Sequence, residues 1–375
     1  MVKPFFIQFH RWLGLILAVI LGLMALTGAM LSYEDEIAHA FYPSLYAPGA
    51  SRQADLTPDQ LVAKVEAAHP AYYVDRLEWP VDRAASVTVR LAPAGKGAKL
   101  EGQAHRATGQ WLGAAPSAPF FATVRRLHRW LLLPGNGEGW GRDITGAAAI
   151  GLVVLAFTGL YLRWPYRALR WREWLVVDWR RKKRLFWRSL HVVVATWAIP
   201  FWLLSAATGL WWSYQPYREV ATQVLTGKPA SSAKEKAAKP VDLEHRPALD
   251  PVWRVFLQDH GQAYGLLRVA LPEGKADKLV VEALASAAAH DRALDRFTYD
   301  PVSARLIKAD YYARRSLGVA ITQSMLELHR GAMLGRGGRA IMLLSTLILA
   351  LACVSGLIMF AYRQFKIGRK EHRSW

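Results

Sequence analysis

Four stretches of this 375-residue chain contain no aspartate, glutamate, lysine or arginine: Leu13–Leu31, Ile144–Leu162, Ser189–Tyr217 and Ala340–Tyr362. Each reaches the roughly 20 residues that a helix needs to cross about 30 Å of hydrocarbon. Within a bilayer a lone segment must satisfy its own backbone, which a helix does and an isolated strand does not. The fold expected from this pattern is a membrane protein, mainly α, with four transmembrane helices. Lys3 and Arg11 precede the first run in the manner of a secretion signal. It is nevertheless longer than a typical signal core of roughly 7–15 residues, and Tyr33-Glu34-Asp35-Glu36 makes a poor cleavage site, so a retained signal anchor is expected.

Charge then orients the helices. The 48 Lys and Arg outnumber the 29 Asp and Glu, giving +19. A basic soluble chain of this kind would suggest nucleic acid. Here the excess falls instead on RWPYRALRWREWLVVDWRRKKRLFWR, between the second and third runs, and on the tail RQFKIGRKEHRSW. By the positive-inside rule both face the cytoplasm. Both termini are therefore expected inside, with segments of approximately 34–140 and 215–338 outside. Trp164, Trp171, Trp174, Trp179 and Trp187 suit an interfacial aromatic belt. KPASSAKEKAAKP (228–240) reads as a flexible linker.

A repeat underlies this layout. His10 precedes Thr27-Gly28 by the same seventeen-residue interval that separates His191 from Thr208-Gly209, and Tyr33 and Tyr214 follow in register. Leu127-His128-Arg129 and Leu328-His329-Arg330 each lead through a Gly-rich turn into a further apolar helix. Between these elements, residues 57–69 and 250–260 read as short amphipathic helices. Alternating stretches follow at Val87–Leu91, Leu266–Leu271 and Lys278–Ala283, with strand–turn–strand elements at 104–113 and 298–307. The expectation is a pseudo-two-fold duplicated bundle carrying two small external α+β modules.

The single cysteine, Cys353, excludes disulfides, covalent CxxCH haem attachment and cysteine-held clusters. Any redox metal must then be held by other side chains, and histidine is the obvious supplier. The first and third helices run outward and the second and fourth inward. A helix of about 23 residues rises about 35 Å, so histidines at opposite ends cannot share an iron. The pairs left are His10 with His191 on the inner side and His128 with His329 on the outer. Two imidazoles on one iron make a six-coordinate haem suited to electron transfer. Two haem b groups with bis-histidine ligation are therefore expected. Arg11 and Arg188 beside the inner pair, and Arg125, Arg129 and Arg330 beside the outer, are the candidate partners of haem propionates, with Arg126 also adjacent. Met30 and Met333 are substitute axial ligands. The Thr-Gly pairs at 27, 158 and 208 read either as close-packing sites or as room for a flat porphyrin. The glycines at 135–141 and 335–338 have neither the strand nor the GK[ST] of a phosphate loop and read as tight turns. His39, His69, His105, His245, His260, His290 and His372 break the register and read as ordinary polar residues.

His-Arg-Trp-Leu-Gly at 10–14, the Thr-Gly turns ending at Gly28 and Gly209, the two Leu-His-Arg signatures and Thr-Gly-Leu-Tyr-Leu-Arg-Trp-Pro at 158–165 resemble the PepSY-associated transmembrane family. Asp-Pro-Val-Ser-Ala-Arg at 300–305 stands where that family has Asp-Pro-x-Thr-Gly. The sequence departs further at Ser355-Gly356, in place of Thr-Gly, and at His105-Arg106-Ala107, in place of Asp-Pro. The resemblance covers nearly the whole chain. It implies a bacterial inner-membrane oxidoreductase similar to the di-haem ferric-siderophore (ferrioxamine) reductases, taking electrons from a quinol or a cytoplasmic flavoprotein and reducing a ferric siderophore in the periplasm. Other readings are a non-redox membrane protein whose PepSY-like modules bind a peptidase or transporter, and a cytochrome b561-like quinol-linked carrier. The implied layout is a first span in 1–33, module one in 34–118, a surface helix and second span in 119–165, and a basic loop in 166–186. The third span follows in 187–215, then linker and module two in 216–315, a surface helix and fourth span in 316–362, and the tail in 363–375. No hydrolytic constellation is evident, and nucleic acid is not expected as a partner.

Overall fold

A computed structural model describes residues 2–49, 51, 53–164, 174–229, 241–261 and 263–371, with side chains of the last helix described to Gln364. Along the chain run α1 (Val2–Leu31), α2 (Pro58–Ala68), strands β1 (Tyr72–Pro80), β2 (Val87–Pro93), β3 (Leu100–Ala104) and β4 (Trp111–Gly113), then α3 (Ala118–Trp130) and α4 (Trp140–Arg163). The second half supplies α5 (Lys183–Ser213), α6 (Asp250–His260), β5 (Tyr264–Ala270), β6 (Leu279–Ala285), β7 (Leu294–Tyr299), β8 (Leu306–Asp310), α7 (Met325–His329) and α8 (Gly335–Glu371). Two compact units result. One comprises residues 1–34, 120–230 and 325–375; the other comprises 35–119 and 231–324.

In the first unit α1, α4, α5 and α8 are long and apolar enough to cross a membrane. They form a closed ring in which α1 packs on α4 and α8, and α5 packs on the same two. Lipid offers apolar groups as good a home as protein does, so the helices associate through close packing rather than through water exclusion. The sequence matches that demand. The buried face of α4 carries Gly141, Gly146, Gly151, Ala148, Ala149 and Ala156, and the bundle core joins Leu21, Ala25, Ala148, Leu152, Ala198, Trp202, Leu349 and Ala352. Ile16, Val19, Phe157, Trp197 and Leu344 point outward instead, as a lipid-facing surface requires. The third apolar run extends to Tyr217, yet α5 stops at Ser213. Tyr214 is extended (φ −131°, ψ 117°), and a new helix, Gln215–Thr226, starts with a proline in its first turn. Proline cannot donate to the preceding turn and pushes the residue before it away from helical backbone. The run therefore breaks where hydropathy alone would continue it.

The second unit corrects the expectation of two modules. Strands from both halves form one eight-stranded antiparallel sheet, ordered β4-β3-β2-β1-β5-β6-β7-β8. Its middle is the β1–β5 ladder, with Leu77 opposite Val269 and Glu78 opposite Arg268. The latter pair closes an ion pair at 2.7 Å. Each half alone would leave a long apolar edge strand exposed to wrong pairing; joining them removes both edges. Leu61 and Val65 of α2 and Val252, Trp253 and Phe256 of α6 share one core with Leu77, Val89, Leu267, Val281 and Phe297 of the sheet. The two helices are also tied at their N-termini. Asp59 accepts from the backbone N–H groups of Leu249 (2.9 Å) and Asp250 (3.0 Å), while Asp250 accepts from that of Asp59 (3.0 Å). Each carboxylate thus satisfies N–H groups that a helix start leaves open.

Of the remaining strand expectations, Val87–Leu91 lies inside β2, while Leu266–Leu271 runs one residue past the end of β5 and Lys278–Ala283 begins one residue before β6; the two strand–turn–strand elements are β3–β4 and β7–β8. Part of the basic loop (165–173), most of the linker (230–240) and the end of the tail (372–375) fall outside the described residues.

Candidate paired-histidine site

All four repeated histidines lie in the first unit, each with Nδ1 tied to a hydroxyl on a neighbouring helix. His10 of α1 meets Thr158 Oγ1 of α4 at 2.8 Å. His128 of α3 meets Thr27 Oγ1 of α1 at 3.1 Å. His191 of α5 meets Ser355 Oγ of α8 at 2.9 Å, and His329 of α7 meets Thr208 Oγ1 of α5 at 2.8 Å. Every hydroxyl is thus the first residue of a Thr-Gly or Ser-Gly pair, and each of these four pairs receives one histidine.

The glycine makes room for the ring. A Cβ built on Gly28 would stand 3.1 Å from His128 Cε1, and one on Gly159 would stand 3.2 Å from His10 Cε1. The Cβ positions of Gly209 and Gly356 are looser, at 3.6 and 3.9 Å from His329 and His191. Sequence reasoning left these pairs between helix packing and porphyrin space. The structure gives a third role: Thr-Gly and Ser-Gly are histidine cradles. The departure at Ser355-Gly356 keeps both the hydroxyl and the glycine, so the cradle survives it.

These contacts fix the tautomer. His128 Nδ1 also lies 2.9 Å from the Met24 carbonyl, and His191 Nδ1 3.1 Å from the Ala352 carbonyl. A carbonyl only accepts, so Nδ1 must carry the proton. The hydroxyls agree, because each already donates within its own helix: Thr27 to Leu23, Thr158 to Val154, Thr208 to Leu204 and Ser355 to Ala352. In a neutral imidazole a proton on Nδ1 leaves Nε2 as the bare, metal-binding nitrogen. This is the outer-shell arrangement that orients histidine ligands in metal sites generally.

The rings form two tiers. His128 and His329 stand with ring centres 6.4 Å apart and planes at 63°. Two imidazoles on opposite sides of one iron require nearly that spacing. A metal–nitrogen bond of roughly 2.0–2.1 Å on each side, plus the offset from nitrogen to ring centre, sums to about 6.3 Å. His10 and His191 come from α1 and α5, which face each other across the ring of helices. Along α1, His10 and the Thr27 that holds His128 are separated by about 25 Å at 1.5 Å per residue. Between the tiers lies the apolar core, with Trp202 buried and its indole N–H donated to the Ser345 carbonyl at 2.9 Å.

The five candidate arginines differ in what they touch. Arg125 is ion-paired with Glu34, and Arg330 with the buried Glu327 at 2.9 Å. Arg129 lies over Trp130 (4.8 Å), and Arg11 lies over Trp12 (5.2 Å) while donating to Gln8. Arg188 is exposed. Arg11, Arg129 and Arg188 have no carboxylate partner among the described residues, which leaves their guanidinium forks open to an anion. Met30 is exposed. The off-register histidines have ordinary partners: His39 stacks on Tyr46, His69 bonds the Val65 carbonyl, His245 bonds Asp242 and His290 meets the Tyr312 hydroxyl. His372 lies outside the described residues. No group of three or more metal-binding side chains occurs among the described residues; a metal in a macrocycle needs only two.

Comparison with known proteins adds one assignment. The model of the PepSY-associated TM region matches residues 7–363. No curated protein matches the chain.

Proposed function

Starting from the fact that the chain belongs to the PepSY-associated transmembrane family, we propose that it is a di-haem b reductase of the bacterial inner membrane. In this reading it carries electrons from a quinol or a cytoplasmic flavoprotein to ferric siderophores in the periplasm and releases iron(II). The observation that carries it is the 6.4 Å separation of the His128 and His329 rings, with each Nδ1 tied away so that Nε2 is the free nitrogen.

Haem b held by two imidazoles supplies reversible one-electron iron chemistry at a closed coordination sphere. The chain's own residues do the rest. His10 with His191, and His128 with His329, would hold the two groups through their Nε2 nitrogens. The Thr-Gly and Ser-Gly cradles hold ring angle and tautomer. Small residues on α4 and the apolar core between the tiers keep water away. Arg11, Arg129 and Arg188 offer bidentate forks to the propionates. Both termini and the basic loop face the cytoplasm, so the His10 tier lies inward and the His128 tier outward. Reduction suits iron release because oxygen-rich chelators hold the harder Fe(III) more tightly than Fe(II).

The visible spectrum of the purified protein tests this reading. A sharp Soret band, α and β bands on dithionite reduction and two haems per chain are expected. Replacing His128 or His329 by alanine should remove the outer haem and spare the inner one. Anaerobic reoxidation of the reduced protein by ferric siderophores, but not by the iron-free chelators, tests the acceptor. A colourless, functional protein would overturn the proposal.

A further inference from the structure

The four cradles are alike in plan but unequal in redundancy. His128 has both Thr27 and the Met24 carbonyl as acceptors for its Nδ1 proton, and His191 has both Ser355 and the Ala352 carbonyl. His329 has Thr208 Oγ1 as its hydrogen-bond partner among the described residues. His10 has Thr158 alone among the described residues. The Thr158 oxygen, whose own proton goes to the Val154 and Leu155 carbonyls, therefore receives that bond as an acceptor.

We infer that Thr158 is the positioning residue that alone fixes His10 in the Nδ1–H tautomer and so presents its Nε2 to a ligand, whereas Ser355 does the equivalent work for His191 redundantly. The physical reason is the setting. Within the bilayer no water replaces a lost acceptor. An imidazole with no partner at Nδ1 is free to move its proton to Nε2, where it blocks coordination. At His191 the Ala352 carbonyl remains in place if the serine hydroxyl is removed, and the proton stays on Nδ1.

The tautomer assignment stands on its own geometry; its bearing on haem rests on the proposed function. The experiment therefore has two arms, both on the full chain in detergent. In the first, 15N-histidine NMR of haem-free protein follows the His10 imidazole, its signals assigned by their loss in His10→Gln. The wild type and Thr158→Ser should show Nδ1 protonated. Thr158→Val, which keeps the side-chain shape, should shift population toward the Nε2–H form. Ser355→Ala should leave His191 in the Nδ1–H form.

In the second arm, haem b titrated into the same variants should bind the inner tier roughly 10–100-fold more weakly in Thr158→Val, the usual effect of removing an outer-shell partner. Thr158→Ser should restore binding, Ser355→Ala should change it only a few-fold, and the outer tier serves as internal control. A His10 tautomer unchanged in Thr158→Val, or a Ser355→Ala variant as damaged as Thr158→Val, overturns the inference. If the tautomers respond as stated while no variant binds haem, the inference holds and the proposed function falls.

Discussion

At the scale of single residues, the cradle glycines and one buried carboxylate make the sharpest predictions. Gly28→Ala would place a methyl group 3.1 Å from His128 Cε1, closer than most real contacts, whereas Gly209→Ala would meet His329 at an ordinary 3.6 Å. On the proposed di-haem reading, Gly28→Ala should therefore lower haem content toward one per chain, and Gly209→Ala should leave it near two. Equal haem content in the two variants, measured by pyridine haemochrome, would remove the steric role given to Gly28. Asp75 in β1 is buried against Arg90 (2.7 Å) and Lys99 (2.6 Å). Burial pushes its carboxyl up, but the hydrogen bonds and charges of the two cations outweigh this and hold it below its ordinary value. A carboxyl lowered on folding contributes stability that is present above its unfolded pKa, near 4, and is lost as the pH falls through the lower folded value. Asp75→Asn should flatten the acid side of the stability profile and lower stability at neutral pH by roughly 1–3 kcal/mol. Chemical denaturation at pH 3 and pH 7 measures both. None of these partners was legible beforehand, because a hydrogen bond from α1 to α4 spans 148 positions of sequence.

Among the elements, the helices and most strands were readable and β1 was not. The capping box of Thr57 and Gln60 starts α2 where the Thr-Pro-Asp-Gln sequence announces it. Alternation marked β2, β5 and β6. β1 escaped because its pattern is broken by a bulge between Val74 and Arg76, and because Asp75 occupies a buried position. A charge at such a position reads as polar surface until Arg90 and Lys99 are known to meet it. That omission carried a second error, since without β1 the β1–β5 ladder cannot be seen and the sheet separates into two modules. The joined sheet makes a testable difference. Val269→Pro removes a donor opposite Leu77 in the middle of the sheet, a place proline is almost never tolerated. Hydrogen exchange should then show protection lost in β2 as well as β6; protection retained in β2 would indicate two independently folded modules.

At the scale of the whole molecule, the prediction concerns sidedness. With Cys353 replaced by alanine, single cysteines at Lys3 and Arg363 should be labelled by an impermeant maleimide only after cells are opened. One at Val302, which is 92% exposed in the sheet unit, should be labelled in cells with a permeable outer membrane and intact inner membrane. Labelling of Lys3→Cys in cells with an intact inner membrane, with Val302→Cys labelled only after opening, would reverse the order of the tiers; labelling of both from one side would contradict the four-span topology itself.

What the amino-acid sequence settled alone was anything governed by local composition or by fixed helical rise. Uncharged runs long enough for a bilayer, the repeated intervals from histidine to Thr-Gly, and the impossibility of joining opposite helix ends through one iron all follow from residue type and spacing. Tertiary structure alone decided which hydroxyl meets which ring, which nitrogen is left bare, that α5 ends at Ser213 and that two half-sheets become one. Those outcomes depend on contacts between segments far apart in the chain, where each group's partner is chosen by packing and by the cost of leaving a buried donor or strand edge unpaired.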